Sequence, residues 1–263
     1  MQLPRMDMHL HTRLSDGQAT LEHVVEQARA HRLDWLSLTD HVDAADPAPY
    51  RRGPSLTDYL AAGQYLRELF AGSGTRFLFG AETCLTADFA RLNLPADLHT
   101  ELDFVVGSVH YVRAGDHMPV PGDYFDPAYW DAYKQETLAL LRTPGVTTLG
   151  HIEGYMPLSP LLLPGSTFAQ RREIEREVAS RFFTTEWQEE VAAAAAAGGV
   201  AVEIHVATRT PRPDFVRVLL AHQVKLTIGT DAHIPEQIGD IGWALAMLEQ
   251  VGATPDDLWQ PGR

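Results

Sequence analysis

An α/β barrel is the fold this sequence predicts, on three observations. Short apolar runs alternate with segments of helical period, giving seven strand candidates, most followed by a helix. No long linker or repeat interrupts that alternation. Histidines and acids recur at the ends of the predicted strands, as expected where parallel strands deliver side chains to one face.

The first strand candidate runs into Met8-His9-Leu10-His11-Thr12. Residues 20–32 follow as an amphipathic helix, with Leu21, Val24, Val25 and Ala28 on one stripe and Thr20 available as N-cap. Residues 35–38 are a short apolar run that fits a buried strand, and the alternation continues with a helix over 57–71 and strands over 76–80 and 104–107. A helix over 128–142 leads to a strand over 147–149. Residues 167–197 have helical composition throughout, closing on an alanine run and Gly198-Gly199 before a strand over 200–204. A helix over 214–222, a strand over 225–228 and a last helix over 241–251 complete the chain. Three segments, 44–56, 115–124 and 154–166, read as loops rich in Pro, Gly or small polar residues, each after a strand end that carries histidine.

The 263 residues carry 21 basic and 35 acidic side chains, a formal net charge of −14 with all 12 histidines neutral. Such a field repels polyanions, so no nucleic acid and no anionic membrane is expected as a partner, and any anionic substrate must meet local cations. A composition 45% hydrophobic and 21% charged is that of a globular chain. The single cysteine, Cys84, excludes an intrachain disulfide framework or a cysteine-rich zinc module and makes a cytoplasmic setting the default expectation. Residues 1–12 carry Asp7, His9 and His11 where a secretory signal needs an apolar run, and no stretch approaches the ~20 apolar residues of a membrane span, so a soluble, unprocessed protein is expected.

The strand-end motifs are H-x-H-T at 9–12, T-D-H at 39–41, Glu82, G-S-V-H at 107–110, Gly150-His151 and G-T-D-A-H at 229–233. His9 and His11 stand two apart, so in an extended strand their side chains leave one face and can reach one ion, and Asp231 with His233 repeats the spacing. One H-x-H alone is a weak signal, more often two packed or surface histidines. Six histidines and several carboxylates at strand ends point to a metal centre. Imidazole and carboxylate without thiolate suit zinc, iron or manganese better than calcium. With about three or four protein ligands per catalytic ion, the set is large enough for two or three ions.

These residues resemble the polymerase and histidinol phosphatase (PHP) family, with H-x-H-T, S-D-G at 15–17, T-D-H, Glu82, G-S-V-H-Y, G-H-I-E and G-T-D-A-H spanning His9 to His233. The spacing and length are similar to the stand-alone histidinol-phosphate phosphatases rather than to the polymerase-fused domain. The resemblance implies a single-domain distorted (β/α)7 TIM-like barrel over 1–263. It implies one metal held by His9, His11, Glu82 and Asp231, a second by Asp16, His41 and His233, and a third by Glu82, His110 and His151, with Glu82 bridging. Glu82, Asp231 and His233 are the catalytic candidates through the ions they hold. The implied reaction is hydrolysis of a small phosphorylated substrate, L-histidinol phosphate foremost, by a hydroxide bridging two ions.

Arg209, after the strand over 200–204, is the leading candidate for a phosphate clamp, since a guanidinium fork matches phosphate oxygens. His205 stands where related phosphatases usually have Asn; it either contacts substrate or is satisfied by backbone hydrogen bonds. The basic residue those enzymes commonly carry after G-H-[IL]-[DE] is absent, because Gly154-Tyr155-Met156-Pro157 occupies the stretch. Arg51 and Arg52 read more readily as a solvated pair than as substitutes, and His117 as a residue near the pocket mouth at most. His23, His31 and His222 fall on predicted helices and read as surface residues. The competing readings are a PHP phosphoesterase for another small phosphomonoester or nucleotide, and a non-catalytic metal-binding PHP module. An amidohydrolase-like barrel lacks the expected central lysine, Lys225 coming too late in the chain.

Overall fold

The computed structural model describes residues 2–44, 53–113 and 118–261. Seven parallel strands form the barrel in the sequential order β1 (Met6–Asp7), β2 (Trp35–Leu38), β3 (Arg76–Thr83), β4 (Phe104–Gly107), β5 (Thr148–Leu149), β6 (Ala201–His205) and β7 (Leu226–Gly229). Each pairs with the next in parallel register, for example Leu36 with Phe77 and Ile204 with Ile228. The ring closes through the Met8 amide, which donates to the Ile228 carbonyl at 2.8 Å, and through a parallel bridge between Leu10 and Ala232. β1 and β5 are only two residues long, which makes this a distorted barrel.

The helices are α1 (Leu21–Ala30), α2 (Leu56–Phe70), α3 (Ala96–His99), α4 (Pro127–Arg142), α5 (Phe168–Phe182), α6 (Thr185–Gly198), α7 (Pro213–Ala221) and α8 (Gly242–Val251). Caps explain most of their boundaries. Thr20 accepts from the His23 amide, Asp126 from Ala128 and Tyr129, and Gly199 ends α6 at φ 64°, a conformation that suits glycine. Strands covered on both sides read as continuous apolar runs, and β4, with all four residues buried, is such a case.

The structure differs from the sequence reading in three places. The stretch of helical composition over 167–197 forms two helices, because Phe183 leaves helical geometry at ψ 71° and Thr184 starts a new N-cap that accepts from the Trp187 amide. Phe183 and Trp187 then stack 4.5 Å apart in the core, which gives the break a packing reason. β3 runs three residues past Gly80, carrying Glu82 in a regular strand paired with Val106. The short α3 carried no recognisable period. No described helix is long and apolar enough to cross a membrane. Arg51, Arg52, His117 and most of the loop expected over 44–56 lie outside the described residues.

Candidate metal centre

The strand ends converge on one carboxylate. Glu82 is almost fully buried, with Oε1 2.8 Å from His110 Nε2 and 3.0 Å from His151 Nε2. Its Oε2 lies 2.6 Å from His41 Nδ1, 3.5 Å from His9 Nε2 and 3.6 Å from His11 Nε2, yet makes no well-directed hydrogen bond. Five imidazoles thus surround one carboxylate. Burial opposes ionisation of Glu82, but the charges of His110, His41 and His9 hold its pKa well below the usual carboxylate range.

Three groups of side chains are close enough to share an ion: His9, His11 and Asp231; His11, Asp16, His41 and His233; and His41, Glu82 and His110. The groups overlap more than the resemblance implied. His11 faces the inner group through Nε2, 2.9 Å from Asp231 Oδ1, while its Nδ1 lies 3.8 Å from Asp16 Oδ1. His41 stands with Glu82 and His110 as well as with Asp16, and His151 joins through Glu82 alone. The nine expected ligands are all in one cluster.

Several of them are aimed by neighbours. His9 Nδ1 lies 2.8 Å from Glu203 Oε1, which directs Nε2 into the cluster, and His233 Nδ1 is 2.9 Å from the Asp231 carbonyl, which turns its Nε2 toward Asp16 at 3.5 Å. Burial opposes charge on His9, but Glu203, Asp231 and Glu82 outweigh it and raise its pKa. His11 is pushed down to about 3 by burial and by the neighbouring charge of His41. His151 and Asp231 both occupy the left-handed region, at φ 30° and 51°. Each is pinned there by a backbone bond, His151 N–H to Glu203 Oε2 at 2.7 Å and Asp231 N–H to the His9 carbonyl at 2.8 Å. A side chain at Gly229 would collide with the Glu203 carboxylate, so that glycine makes room for the Glu203–His9 pair.

Two further buried acids hold the loops. Asp40 accepts from the Thr12 amide and hydroxyl at 2.7 and 2.8 Å and from the Ser15 hydroxyl at 2.5 Å, which carries Asp16 over the cluster. Asp7 accepts from the Thr230 amide and hydroxyl and from the Gly239 amide, fixing the segment that bears Asp231. Sequence reasoning gave no role to Asp7, Asp40 or Glu203. The signal was the two-residue period: Asp7, His9 and His11 alternate on one face, as do Glu203 and His205.

The two residues expected at substrate are not on the cavity wall. His205 is fully buried, with Nδ1 2.5 Å from Thr208 Oγ1 and Nε2 3.1 Å from Asp231 Oδ2, so its one hydrogen bond to the cluster is through Asp231. Arg209 is exposed at φ 58°. Paired backbone bonds between His205 and Thr210 close the chain into a tight turn that buries Thr208 and leaves Arg209 outside. The guanidinium that does line the cavity is Arg171 of α5.

Above the cluster opens a cavity of about 750 Å³, a size suited to a small ligand. Its far wall includes Tyr155, Met156 and Pro157 from the loop expected over 154–166. Tyr129 donates to the Pro157 carbonyl, tying that loop to α4, and Tyr133 donates to the Ile152 carbonyl just before it at 3.1 Å.

The buried donor set fits divalent cations. His11 Nδ1 and Glu82 Oε2 are buried without a hydrogen-bond partner, and imidazole with carboxylate is the ligand chemistry of zinc, iron and manganese.

Comparison with known proteins agrees with this picture. The profile of the PHP domain family matches residues 7–207. A probable phosphatase of Vibrio cholerae is 24% identical over 262 residues, covering 95% of this chain and 86% of that protein. A probable histidinol-phosphatase of Deinococcus radiodurans is 25% identical over 261 residues, covering 89% and 88%. Among solved structures, the histidinol phosphate phosphatase of Lactococcus lactis, determined with zinc, L-histidinol and phosphate, superposes with a TM-score of 0.68 at 20% identity over 96% of this chain and 95% of that one. That likeness is one of fold.

Proposed function

The chain belongs to the PHP domain family, and from that premise we propose that it is a metal-dependent phosphomonoesterase acting on a small phosphate ester at the C-terminal mouth of the barrel. The observation that carries this reading is Glu82 at the centre of five imidazoles, with two buried polar atoms that make no hydrogen bond beneath a cavity of ligand size. The ligands are His9, His11 and Asp231 with Glu82, then Asp16, His41 and His233, then Glu82, His110 and His151, for two or three ions of zinc, iron or manganese. When bound, these ions supply an activated water and positive charge opposite the phosphoryl oxygens.

The chain's own residues set the geometry. Glu82 spans the ligand groups, Glu203 orients His9, and His205 holds the second oxygen of Asp231. Tyr155 and Met156 wall the cavity and reduce its exposure to bulk water. Glu82, Asp231 and His233 have catalytic roles through the ions they hold.

L-histidinol phosphate is the first substrate to test, on the strength of the similar proteins. A second reading, a different small phosphomonoester, is favoured by the cavity itself. Its acids all belong to the ligand cluster, and among the described residues none remains to receive the amine of histidinol. A phosphate-release screen of protein loaded with manganese, zinc or iron against histidinol phosphate and a panel of sugar, nucleotide and amino-alcohol phosphates tests both. Release from histidinol phosphate above the rest supports the first reading, and release from another ester supports the second. No turnover of any ester returns the non-catalytic metal-binding module.

A further inference from the structure

Arg171 is the one lysine or arginine among the described residues that line the cavity. Its guanidinium is held in place: Nη2 donates to the Met156 carbonyl at 2.7 Å and Nε to Glu175 Oε1 at 3.1 Å, and the group lies 5.6 Å from the centre of the Tyr155 ring. Nη1 makes no hydrogen bond to a described residue. Glu175 is fully buried and also pairs with Arg172, whose Nη2 donates to the Thr208 carbonyl at 2.6 Å. Two guanidiniums sharing one carboxylate leave a net positive charge, and Arg171 is the member that faces the cavity.

The ring of Tyr155 stands 6.5 Å from His151 and 5.3 Å from His205. One aromatic ring thus packs against the Arg171 guanidinium and against His151 of the candidate cluster. A phosphate whose oxygens face the candidate cluster would extend its ester group into the cavity that Arg171 also lines. We infer that Arg171 is a specificity-determining residue that receives a second anionic group, a carboxylate or a phosphate, on the leaving portion of the substrate. The inference rests on the phosphomonoesterase reading and narrows its substrate class to acidic esters. The fixed hydrogen bonds of the half-buried guanidinium lower the ordering cost of such a contact, and the apolar walls strengthen it.

The test compares esters that differ only in the distal charge. For metal-loaded full-length protein, kcat/KM is measured for 3-phosphoglycerate against glycerol 3-phosphate and for propane-1,3-diol bisphosphate against its monophosphate. The first pair reads a carboxylate and the second a phosphate. The wild type is expected to favour the acidic member of at least one pair by about tenfold or more, chiefly through KM. Arg171→Gln, which can still donate to Met156, is expected to bring that ratio close to one, and Arg171→Lys to recover part of it. A role confined to holding Met156 would lower both members of a pair together and leave the ratio unchanged. A wild-type ratio near one in both pairs, or a ratio unaffected by Arg171→Gln and Arg171→Lys, overturns the inference and leaves the phosphomonoesterase reading standing. No turnover of any ester, p-nitrophenyl phosphate included, overturns both.

Discussion

Glu203 Oε1 lies 2.8 Å from His9 Nδ1, joining β6 to the end of β1 across 194 residues of sequence. Both side chains are buried, and the other Glu203 oxygen accepts the His151 amide. One carboxylate thus aims one candidate ligand and fixes the backbone of another. The Glu203→Gln variant should lower metal affinity about 10–100-fold, read by competition with a chromogenic chelator. Unchanged affinity would reduce Glu203 to a packing residue.

Removing Glu82 takes the central carboxylate from between the imidazoles of His9, His11, His41, His110 and His151. Glu82→Ala should lose more than one ion per chain by elemental analysis. Retention of the full complement would refute its bridging position.

The candidate ligand groups differ in access to solvent. The side chains of His9, His11 and Asp231 are at most 5% exposed, whereas Asp16 and His233 are 39% and 37% exposed. Chelation by dipicolinate should therefore release metal in two phases, a fast outer ion and a slower inner one. Asp16→Ala should abolish the fast phase and lower the stoichiometry by one. A single phase in the wild type would contradict this ranking.

Glu136 in α4 is buried beside Arg113, whose Nη1 donates to it at 2.8 Å. Burial pushes its pKa up to about 7, with Arg113 opposing the rise. From about pH 4.5 to 7 the folded chain keeps a proton that the unfolded chain has released. Its contribution to stability is therefore full below the unfolded value and is lost as pH rises through the folded one, by roughly 3 kcal/mol in total. In urea unfolding, the wild type should lose stability relative to Glu136→Gln between pH 5 and 8. A pH-independent difference between the two would show that Glu136 titrates normally.

Much of the site was legible before the fold, because its motifs are local. His9 and His11 announce a shared face by their spacing, and Gly229-Thr230-Asp231-Ala232-His233 marks a strand end by its glycine and its acids. The substrate side was not legible. Arg209 looked well placed because it follows a strand, but the turn closed between His205 and Thr210 leaves it outside. Arg171 sits in a helix where nothing in the local pattern sets it apart from Arg172 or Arg176.

The sequence by itself determined the alternation of strands and helices and the roster of candidate metal-ligating side chains, since periodicity and strand-end chemistry are written within a few residues. Only the tertiary structure decided that Glu203 meets His9, that Glu82 stands among five imidazoles, and that Arg171 rather than Arg209 faces the cavity. Those choices depend on barrel closure, strand register and the packing of α5 against the loop after β5. They are contacts between residues tens to hundreds of positions apart, which local pattern does not encode.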